Sequence, residues 1–521
     1  MIPDFTLSVP QGKASCFCRL PGRIMFGCQD SPEILCVSLT NKYYDANLDL
    51  KPNIRGGVAS VCLVNEGDMS SDPLVLARGF QGGMILFYIR GLTKYLGRDI
   101  PVLRFDNQVP GTPGLELVRA YRSTPSFVNI SMACGFAFAP SGIERLMCVP
   151  LAPEIGSKEP LEVDSAPDMG ALLCLDCVSV WDDTVCSVGC DLGQECVLVV
   201  TGVEAGRLLA LFSPVERLSS IARGESVPEQ QVSPTVAETV QTSFGSFRTN
   251  VPASPTPEAP VSPLCIVAKS KPVTAATVSY LDMEAVPDED LMTGIGPTCR
   301  SFSADEPAAL TAVQILPRGT SPDGKVRVSD LSVYVMSAGY AVSEWRLERR
   351  KPKRSAPQDF PRFRFVLVSA HRLKVPGASC ICAMPGPPVS DQGSEATVVW
   401  GGWDRRIRLF SVSDAGTSPQ DTDESEAPPP VWRERRALRY HTGAIRALTA
   451  FPADPEGGVR QIRVVSGSED GVVAVWTMPL EWQGPTPVDA PPAPVDDVSA
   501  EDAEAAWRER VERRRRERRM R

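Results

Sequence analysis

VVSGSEDGVVAVWTM, residues 464–478, decides the fold of this chain. An apolar run is followed by a turn that contains Asp470 and Gly471, and then by a second apolar run that includes Trp476. Short β-branched runs on either side of a Gly-containing turn are typical of a β-hairpin. The neighbouring stretch VVWGGWDRRIRLFSV, residues 398–412, has the same form.

Weaker copies of this hairpin recur along the chain. They are LVLARGFQGGMILFYI at 74–89, LVVTGVEAGRLLALF at 198–212, YVMSAGYAVSEWRL at 334–347 and IMFGCQDSPEILCVSL at 24–39. A repeated hairpin is typical of a β-propeller, and no helical periodicity of comparable length interrupts the strands. Asp470 lies 66 residues after Asp404, against a usual repeat of about 40–45 residues. The insertion DAGTSPQDTDESEAPPPVWRER accounts for the excess.

The sequence therefore predicts an all-β fold, a β-propeller over residues 15–480 with long disordered loop insertions and a basic helical C-terminal tail. We expect closure of the last blade by N-terminal sequence. The seven units are counted at about 15–45, 55–95, 127–165, 170–213, 262–350, 364–412 and 436–480.

Composition excludes several classes of protein. Hydrophobic residues are 43% of the 521 residues and charged residues are 22%, close to an average soluble protein, so neither wholesale disorder nor a membrane-embedded protein is expected. The start MIPDFTLSVPQGKAS does not resemble a secretory signal, and no run of about 18 apolar residues occurs. The net charge of −9 argues against nucleic-acid binding by the whole surface.

The 16 cysteines are too sparse for a disulfide scaffold and mostly lie in apolar runs, so we interpret them as reduced core residues of an intracellular protein. Cys174, Cys177, Cys186 and Cys190 have a spacing that could also hold zinc. The segment ALLCLDCVSVW favours the core interpretation, because a strand would direct Cys174 and Cys177 to opposite faces. No metal or cofactor site is predicted.

Three segments have the composition of loops: 214–262 and 351–362, together with the insertion near 412–434. Residues 481–502 read as a Pro/Asp-rich linker, and 503–521 as an Arg-rich helical tail with nine arginines. Three roles stay open for this tail: a solvated helix, a nuclear import signal in RRRRERR, or contact with nucleic acid. Direct contact with nucleic acid is expected at most through residues 508–521.

The last unit carries the side chains of a WD repeat. His441 precedes its first strand, Ser466 ends the second, Asp470 lies in the turn and Trp476 lies on the third strand. In the WD-repeat arrangement these four side chains form a hydrogen-bonded chain, so we expect them to be structural. A catalytic His–Asp pair is the alternative.

Motifs for catalysis are scarce. His371 and His441 are the two histidines of the chain, and both are expected before blade strands at comparable places. The sequence contains no GxSxG, GxxxxGK[ST] or HExxH motif and no spacing that singles out an acid–base pair of carboxylates. We therefore predict that the chain is not an enzyme and has no catalytic residues.

The C-terminal hairpins resemble one WD-repeat family. GGWDRRIRLFS, RRALRYHTGAIRALTAF and VVSGSEDGVVAVWTM are similar to consecutive segments of the fungal ASTRA-associated protein, whose animal counterpart is the guanine nucleotide-binding protein subunit beta-like protein. The residues of the penultimate blade that carry the resemblance are Gly402, Trp403, Asp404, Arg406 and Arg408.

Upstream correspondences are weaker but follow the same order. FVNISMACGFAF before RLMCVPL is similar to one family segment, and GALLCLDCVSVW before LVVTGVEAGRLLALF is similar to another. Gly202-Val203-Glu204 replaces the family's Gly-Tyr-Glu, and the first two units lack the His and most turn acids. Trp403 precedes the turn Asp404, whereas Phe410 occupies the usual strand-end Trp position, and we expect Trp403 to pack in the core.

This resemblance implies a seven-bladed WD-repeat β-propeller that acts as a non-enzymatic scaffold without cofactors. Its implied partners are the Tel2-Tti1-Tti2 cochaperone, the RuvB-like ATPases and phosphatidylinositol-3-kinase-related kinase clients, with a link to chromatin remodelling. It also implies a location in nucleus and cytoplasm, with the nucleus favoured, and no membrane contact. Two alternatives stay open: a propeller enzyme such as a diphthamide-pathway methylesterase, and a WD-repeat adaptor of another complex.

Overall fold

A computed structural model gives the three-dimensional structure of the chain. It describes residues 2–10, 12–65, 72–92, 100–106, 112–151, 160–164, 170–182, 193–225, 235–242, 245–252, 264–273, 278–281, 308–318, 324–338, 341–350, 363–373, 377–386, 395–413, 431–456 and 459–479. The described strands form seven sheets of four antiparallel strands, two of which gain a fifth strand, and one separate hairpin. The fold is a seven-bladed β-propeller. The predicted fold class is confirmed.

The first three blades come from the N-terminal third of the chain. Blade 1 contains β2 (Ala14–Leu20), β3 (Arg23–Cys28), β4 (Glu33–Ser38), β5 (Tyr44–Asp49) and the added β9 (Val102–Leu103). Blade 2 contains β6 (Val58–Leu63), β7 (Leu74–Gly79), β8 (Met84–Arg90) and β10 (Gly114–Tyr121). Blade 3 contains β11 (Ser131–Ala133), β12 (Phe136–Pro140), β13 (Arg145–Pro150) and β14 (Leu161–Asp164).

Blades 4 to 6 follow in chain order. Blade 4 contains β15 (Leu172–Asp182), β16 (Gln194–Val203), β17 (Leu208–Pro214) and β20 (Cys265–Lys269). Blade 5 contains β22 (Leu310–Pro317), β23 (Leu331–Ser337), β24 (Ala341–Arg349), β25 (Phe363–Arg372) and the added β21 (Ser279–Tyr280). Blade 6 contains β26 (Ala378–Pro385), β27 (Glu395–Gly402), β28 (Arg406–Ser413) and β29 (Val431–Arg439).

Blade 7 joins the two ends of the described chain. It contains β30 (Ile445–Glu456), β31 (Val459–Ser468), β32 (Val472–Pro479) and β1 (Phe5–Ser8). The N-terminal strand β1 pairs antiparallel with β32, with Phe5 opposite Val475 and Ser8 opposite Val472. Because the first and last strands share one sheet, the ring cannot open without breaking a ladder of backbone hydrogen bonds. The expected closure by N-terminal sequence is confirmed.

The predicted hairpins are the middle strands of the blades. All six copies read from the sequence pair as second and third strands of one sheet, as in β31 with β32 and β27 with β28. These strands are buried on both faces because a neighbouring blade covers each face, which explains their continuous apolar runs. Seven apolar clusters fill the blades and the spaces between them.

Each blade packs on the next through its inner strand. The chain adds one extra residue, a β-bulge, near the start of six inner strands. Opposite the bulge the second strand often carries glycine, because a side chain there would enter the next blade. A Cβ on Gly401 would lie 2.4 Å from Ile445 Cγ2, and one on Gly467 would lie 2.7 Å from Ala14 Cβ. The seams between blades therefore require small residues.

The units counted from the sequence divide the chain differently from the blades. Cys265–Lys269 completes blade 4, Phe363–Arg372 completes blade 5 and Val431–Arg439 completes blade 6. The units predicted from the sequence place the first two of these strands in the following unit, and they omit the first half of Val431–Arg439. Each of these outer strands follows a long insertion, so a hairpin pattern that depends on short turns does not connect it to its own sheet.

The segment 214–262 is not a loop throughout. Its first residues form a short helix, α1 (Val215–Ala222), which buries Leu218 and Ala222 against blade 4. Two strands, β18 (Thr235–Thr242) and β19 (Gly245–Pro252), form a hairpin. Composition misses α1 because its eight residues span only about two helical turns.

Several predicted segments lie outside the described residues. They are 351–362, most of the insertion near 412–434, the linker 481–502 and the tail 503–521. The described part of the chain contains no helix with the length and apolarity that a bilayer crossing requires.

Candidate interaction face around the central channel

One end of the propeller carries both sets of predicted site residues, and we call it the upper face. It is the end where the inner strands begin and where the turns between the second and third strands lie. His441 precedes the inner strand β30, and Asp470 and Asp404 lie in the turns of blades 7 and 6. The loop 122–130 before β11 and the turn 141–144 of blade 3 lie at the same end.

The structure brings three of the four WD-repeat side chains of blade 7 into hydrogen-bond contact. His441 Nε2 lies 2.7 Å from Ser466 Oγ, and His441 Nδ1 lies 3.2 Å from Asp470 Oδ2. Asp470 also accepts hydrogen bonds from the backbone N–H groups of Thr442 at 2.8 Å and Val472 at 3.0 Å. The carboxylate therefore fastens both the loop before β30 and its own turn.

Burial fixes the charge state of this group. It lowers the pKa of His441, and Asp470 only partly offsets the effect, so the imidazole is neutral at neutral pH. Burial acts to raise the pKa of Asp470, but its backbone hydrogen bonds and His441 hold the pKa below the usual value. Because a carboxylate only accepts hydrogen bonds, Nδ1 of His441 carries the proton and Nε2 accepts from the Ser466 hydroxyl.

Trp476 takes a different place from the one expected. Its indole packs edge-on to the His441 ring, with ring centroids 6.0 Å apart, and is buried. Its Nε1 has no hydrogen-bond partner among the described residues. The hydrogen-bonded chain of blade 7 thus ends at Ser466, and Trp476 contributes apolar packing instead.

Blade 6 stabilises its turn with an ion pair. Asp404 Oδ2 lies 2.5 Å from Arg408 Nη2, with both side chains almost completely buried, and Arg406 Nε lies 4.0 Å away. Asp404 Oδ1 accepts a hydrogen bond from the Arg406 backbone at 3.3 Å. Gly402 leaves room for the carboxylate, since a Cβ there would lie 2.3 Å from Asp404 Oδ1. The arginines of the family motif therefore act inside the blade.

Trp403 is half-buried and lies against a neighbouring loop. Its backbone N–H donates to the Gly377 carbonyl at 3.0 Å, and a Cβ on Gly377 would lie 2.2 Å from Trp403 Cδ2. Gly377 has a φ of 73°, which side chains rarely adopt. Trp403 therefore packs on the loop before β26 and is half-buried there, whereas we expected it in the core from the sequence.

His371 does not occupy the place that His441 has. It lies within β25, the outer strand of blade 5, rather than in the loop before an inner strand. Its Nδ1 lies 2.9 Å from Ser279 Oγ on β21, and its ring contacts Trp432 at 5.4 Å between centroids. Burial lowers its pKa to about 4. The expectation of two comparably placed histidines is wrong, because β25 extends past the residue.

Sequence reasoning missed Arg78, a fully buried cation of blade 2. Its guanidinium donates to the carbonyls of Thr124 at 2.9 Å, Pro140 at 3.1 Å and Val128 at 3.3 Å. Burial lowers its pKa to about 10. Arg78 pairs with Ser60 at the register position where blade 7 pairs Gly467 with Ala447. The replacement of a seam glycine by arginine was the available signal.

A cavity of about 280 Å³ occupies the central channel. Residues from the inner segments of all seven blades line it, among them Ser15, Ser60, Leu173, Thr311, Ser379 and Arg446. Phe127 also lines it and is 77% exposed, and Ile143 in the turn of blade 3 is 73% exposed. On blade 7, Arg446 pairs with Glu469. The upper face therefore combines a polar channel with exposed apolar side chains.

Hydrogen bonds connect successive inner strands beside the channel. The contacts run from Ser15 to the Val58 carbonyl, Cys62 to the Ile130 carbonyl, Ser131 to Asp176, the Ile315 backbone to Asp176, the Ala383 backbone to Gln314, and Ser379 to the Ile445 carbonyl. Asp176 bridges three blades. Burial raises its pKa to about 6, against hydrogen bonds from Ile315, Ser131 and Cys177 that lower it.

The cysteine pattern agrees with the core interpretation where it is described. Cys174 packs toward blade 5 and Cys177 toward blade 3, on opposite faces of β15. Burial raises the pKa of Cys174 to about 12. Cys186 and Cys190 lie outside the described residues. Among the residues that the structure describes, no group of three His, Cys, Asp or Glu side chains could hold a metal ion.

Comparisons with known proteins concern the fold. No protein-family model matches the sequence, and no curated protein matches it. Sqt1 of Saccharomyces cerevisiae is similar in structure with a TM-score of 0.45 and 8% identity over 91% of this chain and 98% of that chain. The β-propeller domain of Cps50 (Swd1) from Myceliophteria thermophila has a TM-score of 0.43 and 10% identity over 91% of this chain and 100% of that chain. At these levels of sequence identity, neither structural similarity indicates a function for this chain.

Proposed function

We propose that this chain is a non-enzymatic scaffold that holds protein partners on the upper face of its propeller. One observation carries the proposal: Phe127 is 77% exposed at the mouth of the channel, with Ile143 exposed at the same end. Exposed apolar patches rimmed by polar residues mark protein interaction sites, and aromatic side chains are common among the residues that dominate binding. Arg78 connects the loop that carries Phe127 to the end of β12, beside the turn that carries Ile143.

The candidate catalytic pair supports a structural role. His441 Nε2 is engaged by Ser466, and both oxygens of Asp470 are engaged by backbone N–H groups of the loop and the turn. A general base needs a ring nitrogen directed at a substrate. Neither ring nitrogen of His441 is available for that purpose in this arrangement.

The finer assignment rests on the resemblance of the last two blades. We propose that the chain is the propeller subunit of an ASTRA-like assembly, which works with the Tel2-Tti1-Tti2 cochaperone and the RuvB-like ATPases in kinase maturation and chromatin remodelling. The segments GGWDRRIRLFS and VVSGSEDGVVAVWTM support this proposal, and RRRRERR supports a nuclear location. The partners would dock on the upper face.

Affinity purification from native extract tests both levels of the proposal. The tagged full chain is compared with F127D/I143D and with Tyr43→Asp as matched control. Tyr43 is 55% exposed and lies between β4 and β5, at the opposite end of the propeller. We expect the wild type and the control to recover the same partners, and the upper-face variant to lose most of them.

The identity of the partners decides the finer proposal. Recovery of the cochaperone subunits and RuvB-like ATPases supports the ASTRA-like assignment, and a different stable set assigns the chain to another complex. If the purified chain shows methylesterase activity, and substitution of one carboxylate residue abolishes it, the chain is an enzyme and the scaffold proposal is wrong. Equal recovery by all three forms would move the interaction site away from the upper face.

A further inference from the structure

Strand β29 forms the outer edge of blade 6. It runs over nine residues from Val431 to Arg439, and β28 is its neighbour in the sheet. The edge is therefore about 30 Å long at 3.3 Å per residue. An edge strand presents backbone N–H and C=O groups at alternate positions, and these can pair with an added strand.

Two buried side chains hold β29 in place. Trp432 donates from Nε1 to Ser369 Oγ at 3.0 Å and packs against Tyr334 and Phe410. Leu438 is buried in the cluster toward blade 7. The strand is thus anchored near both ends to the neighbouring blades. Its outer edge is preorganised, which reduces the ordering cost of binding.

The charge of β29 is opposite to that of the whole chain. The strand contains Arg433, Arg435, Arg436 and Arg439 against Glu434, while the chain has a net charge of −9. Arg433 and Arg439 are exposed, and Arg435 sits at a β-bulge where its Nε donates to Ser411 Oγ at 2.6 Å. By their pairing with β28, Arg433 and Arg436 lie on the face toward blade 7, and Arg439 lies on the face toward blade 5. Guanidinium groups on both faces of an edge strand favour carboxylates in the added strand.

Other blades of this propeller already accept a fifth strand. Val102–Leu103 pairs with β5 at the outer edge of blade 1, and Ser279–Tyr280 pairs with β25 at the outer edge of blade 5. Both added strands come from loops of the chain itself. Their presence shows that outer strands of this fold have room for one more strand. The described part of blade 6 has four strands.

We propose that β29 binds an extended acidic segment of a partner protein, which adds to blade 6 as a fifth strand. Backbone hydrogen bonds supply affinity, and carboxylates on both faces of the added strand meet the arginines. Arg435, Arg436 and Arg439 already interact with other groups, so the peptide replaces part of these interactions. This inference rests on the strand and is independent of the ASTRA-like assignment.

A peptide fits this surface better than a nucleic acid does. The arginines lie along a single strand edge whose repeating donors and acceptors match a peptide backbone, and Val431, an aliphatic residue, is 40% exposed at its start. Single-stranded nucleic acids bind to charged grooves with several aromatic platforms for their bases. The described residues of β29 expose no aromatic side chain.

Fluorescence anisotropy on the full chain tests the proposal. The probe is a labelled nine-residue peptide of three Glu-Glu-Val repeats, which carries carboxylates on both faces of an extended strand. We expect R433E/R439E to weaken binding at least about tenfold, since each exposed charge contact contributes to affinity. The control R145E/R364E changes net charge equally on exposed residues of blades 3 and 5 and is expected to bind as the wild type does. Equal melting temperatures show that both variants fold.

Peptides with N-methyl groups separate strand addition from simple charge attraction. Methylation at every second residue removes the donors on one edge of the peptide. Two peptides are compared, one methylated at the odd positions and one at the even positions. We expect one of them to lose binding and the other to bind nearly as well as the unmethylated peptide. Equal binding by the two methylated peptides overturns the proposal, as does the absence of peptide binding. Tighter binding of an oligouridylate of equal charge, lost in R433E/R439E, overturns it in favour of a nucleic-acid site.

Discussion

Asp404 and Arg408 form a buried ion pair, 2.5 Å between Oδ2 and Nη2, at the turn of blade 6. The equivalent turn of blade 7 instead joins Asp470 to the neutral imidazole of His441, 3.2 Å away. Both aspartates precede a residue with positive φ, Arg405 at 66° and Gly471 at 74°. One turn geometry is thus stabilised by two different partners, one from the third strand and one from the preceding loop.

The ion pair of blade 6 gives the first prediction. Asp404→Ala leaves Arg408 uncompensated with a side chain only 3% exposed, and breaking a buried pair costs ~3–5 kcal/mol. The double variant D404A/R408M is expected to recover much of this loss, because the charge of Arg408 is removed together with its partner. Urea denaturation of the single and double variants measures the coupling. Additive losses would show that the two side chains do not act as a pair.

Asp470 gives the second prediction. Asp470→Ala removes the acceptor of His441, Thr442 and Val472, and we expect a loss of ~1–3 kcal/mol in unfolding free energy. The control is Glu216→Ala, an exposed change at the start of α1 in the segment 214–262. Differential scanning calorimetry compares the two. Identical melting temperatures would contradict a stabilising role for the turn of blade 7.

Arg78 gives the third prediction. Arg78→Gly introduces the residue that other blades carry at this seam, yet we expect it to destabilise the chain by more than ~3 kcal/mol. The reason is that three carbonyls, two on the loop 122–130 and one at the end of β12, lose their donor, at ~1–3 kcal/mol for each buried group left unsatisfied. Chemical denaturation measures the loss. A stable variant would mean that water replaces the guanidinium.

The same variant should alter the upper face. Phe127 lies between Thr124 and Val128, the two loop residues whose carbonyls accept from Arg78. We expect hydrogen exchange of 122–130 to increase in Arg78→Gly, with the seams of blades 5 to 7 unchanged as internal control. If hydrogen exchange in this loop does not change, Arg78 does not stabilise the loop.

Asp176 gives a prediction about pH. Its folded-state pKa is raised to about 6 by burial, above the usual aspartate value of about 3.9. A raised pKa means that folding favours the protonated form, so this contribution to stability is complete below pH ~4 and is lost as pH rises through ~6. In D176N that contribution is independent of pH. The stability of D176N relative to wild type should therefore increase between pH 4 and 6, as measured by urea titration at each pH. A difference in unfolding free energy that stays the same from pH 4 to 6 would contradict the raised pKa of Asp176.

The C-terminal tail gives the fifth prediction. Deletion of 503–521 should leave the melting temperature unchanged while the nuclear fraction of a fluorescent fusion falls. Replacement of the nine arginines by lysine keeps the charge and should preserve the location, whereas replacement by glutamine should not. A truncated chain that fails to fold would assign the tail to the propeller core.

The local pattern of apolar runs and turns was sufficient to predict the hairpins. Two apolar runs around a short turn pair with each other because the turn leaves them no other neighbour, and all six predicted hairpins form in this way. The positions of His441, Ser466 and Asp470 on loop, strand and turn follow from the same register. Closure by the N-terminal strand also followed, since a ring of sheets needs a partner for its last edge.

Long-range packing determines the features that the sequence did not predict, which are the sheet of each outer strand and the partners of Arg78. Outer strands such as β25 and β29 lie after insertions, and only three-dimensional pairing connects them to their sheets. Arg78 lacks a carboxylate near it in the sequence, and its partners are carbonyls that the next blade brings within 3.3 Å. Turn patterns report short-range geometry, whereas burial and the choice of partner depend on which blades pack together, and that is a property of the closed ring.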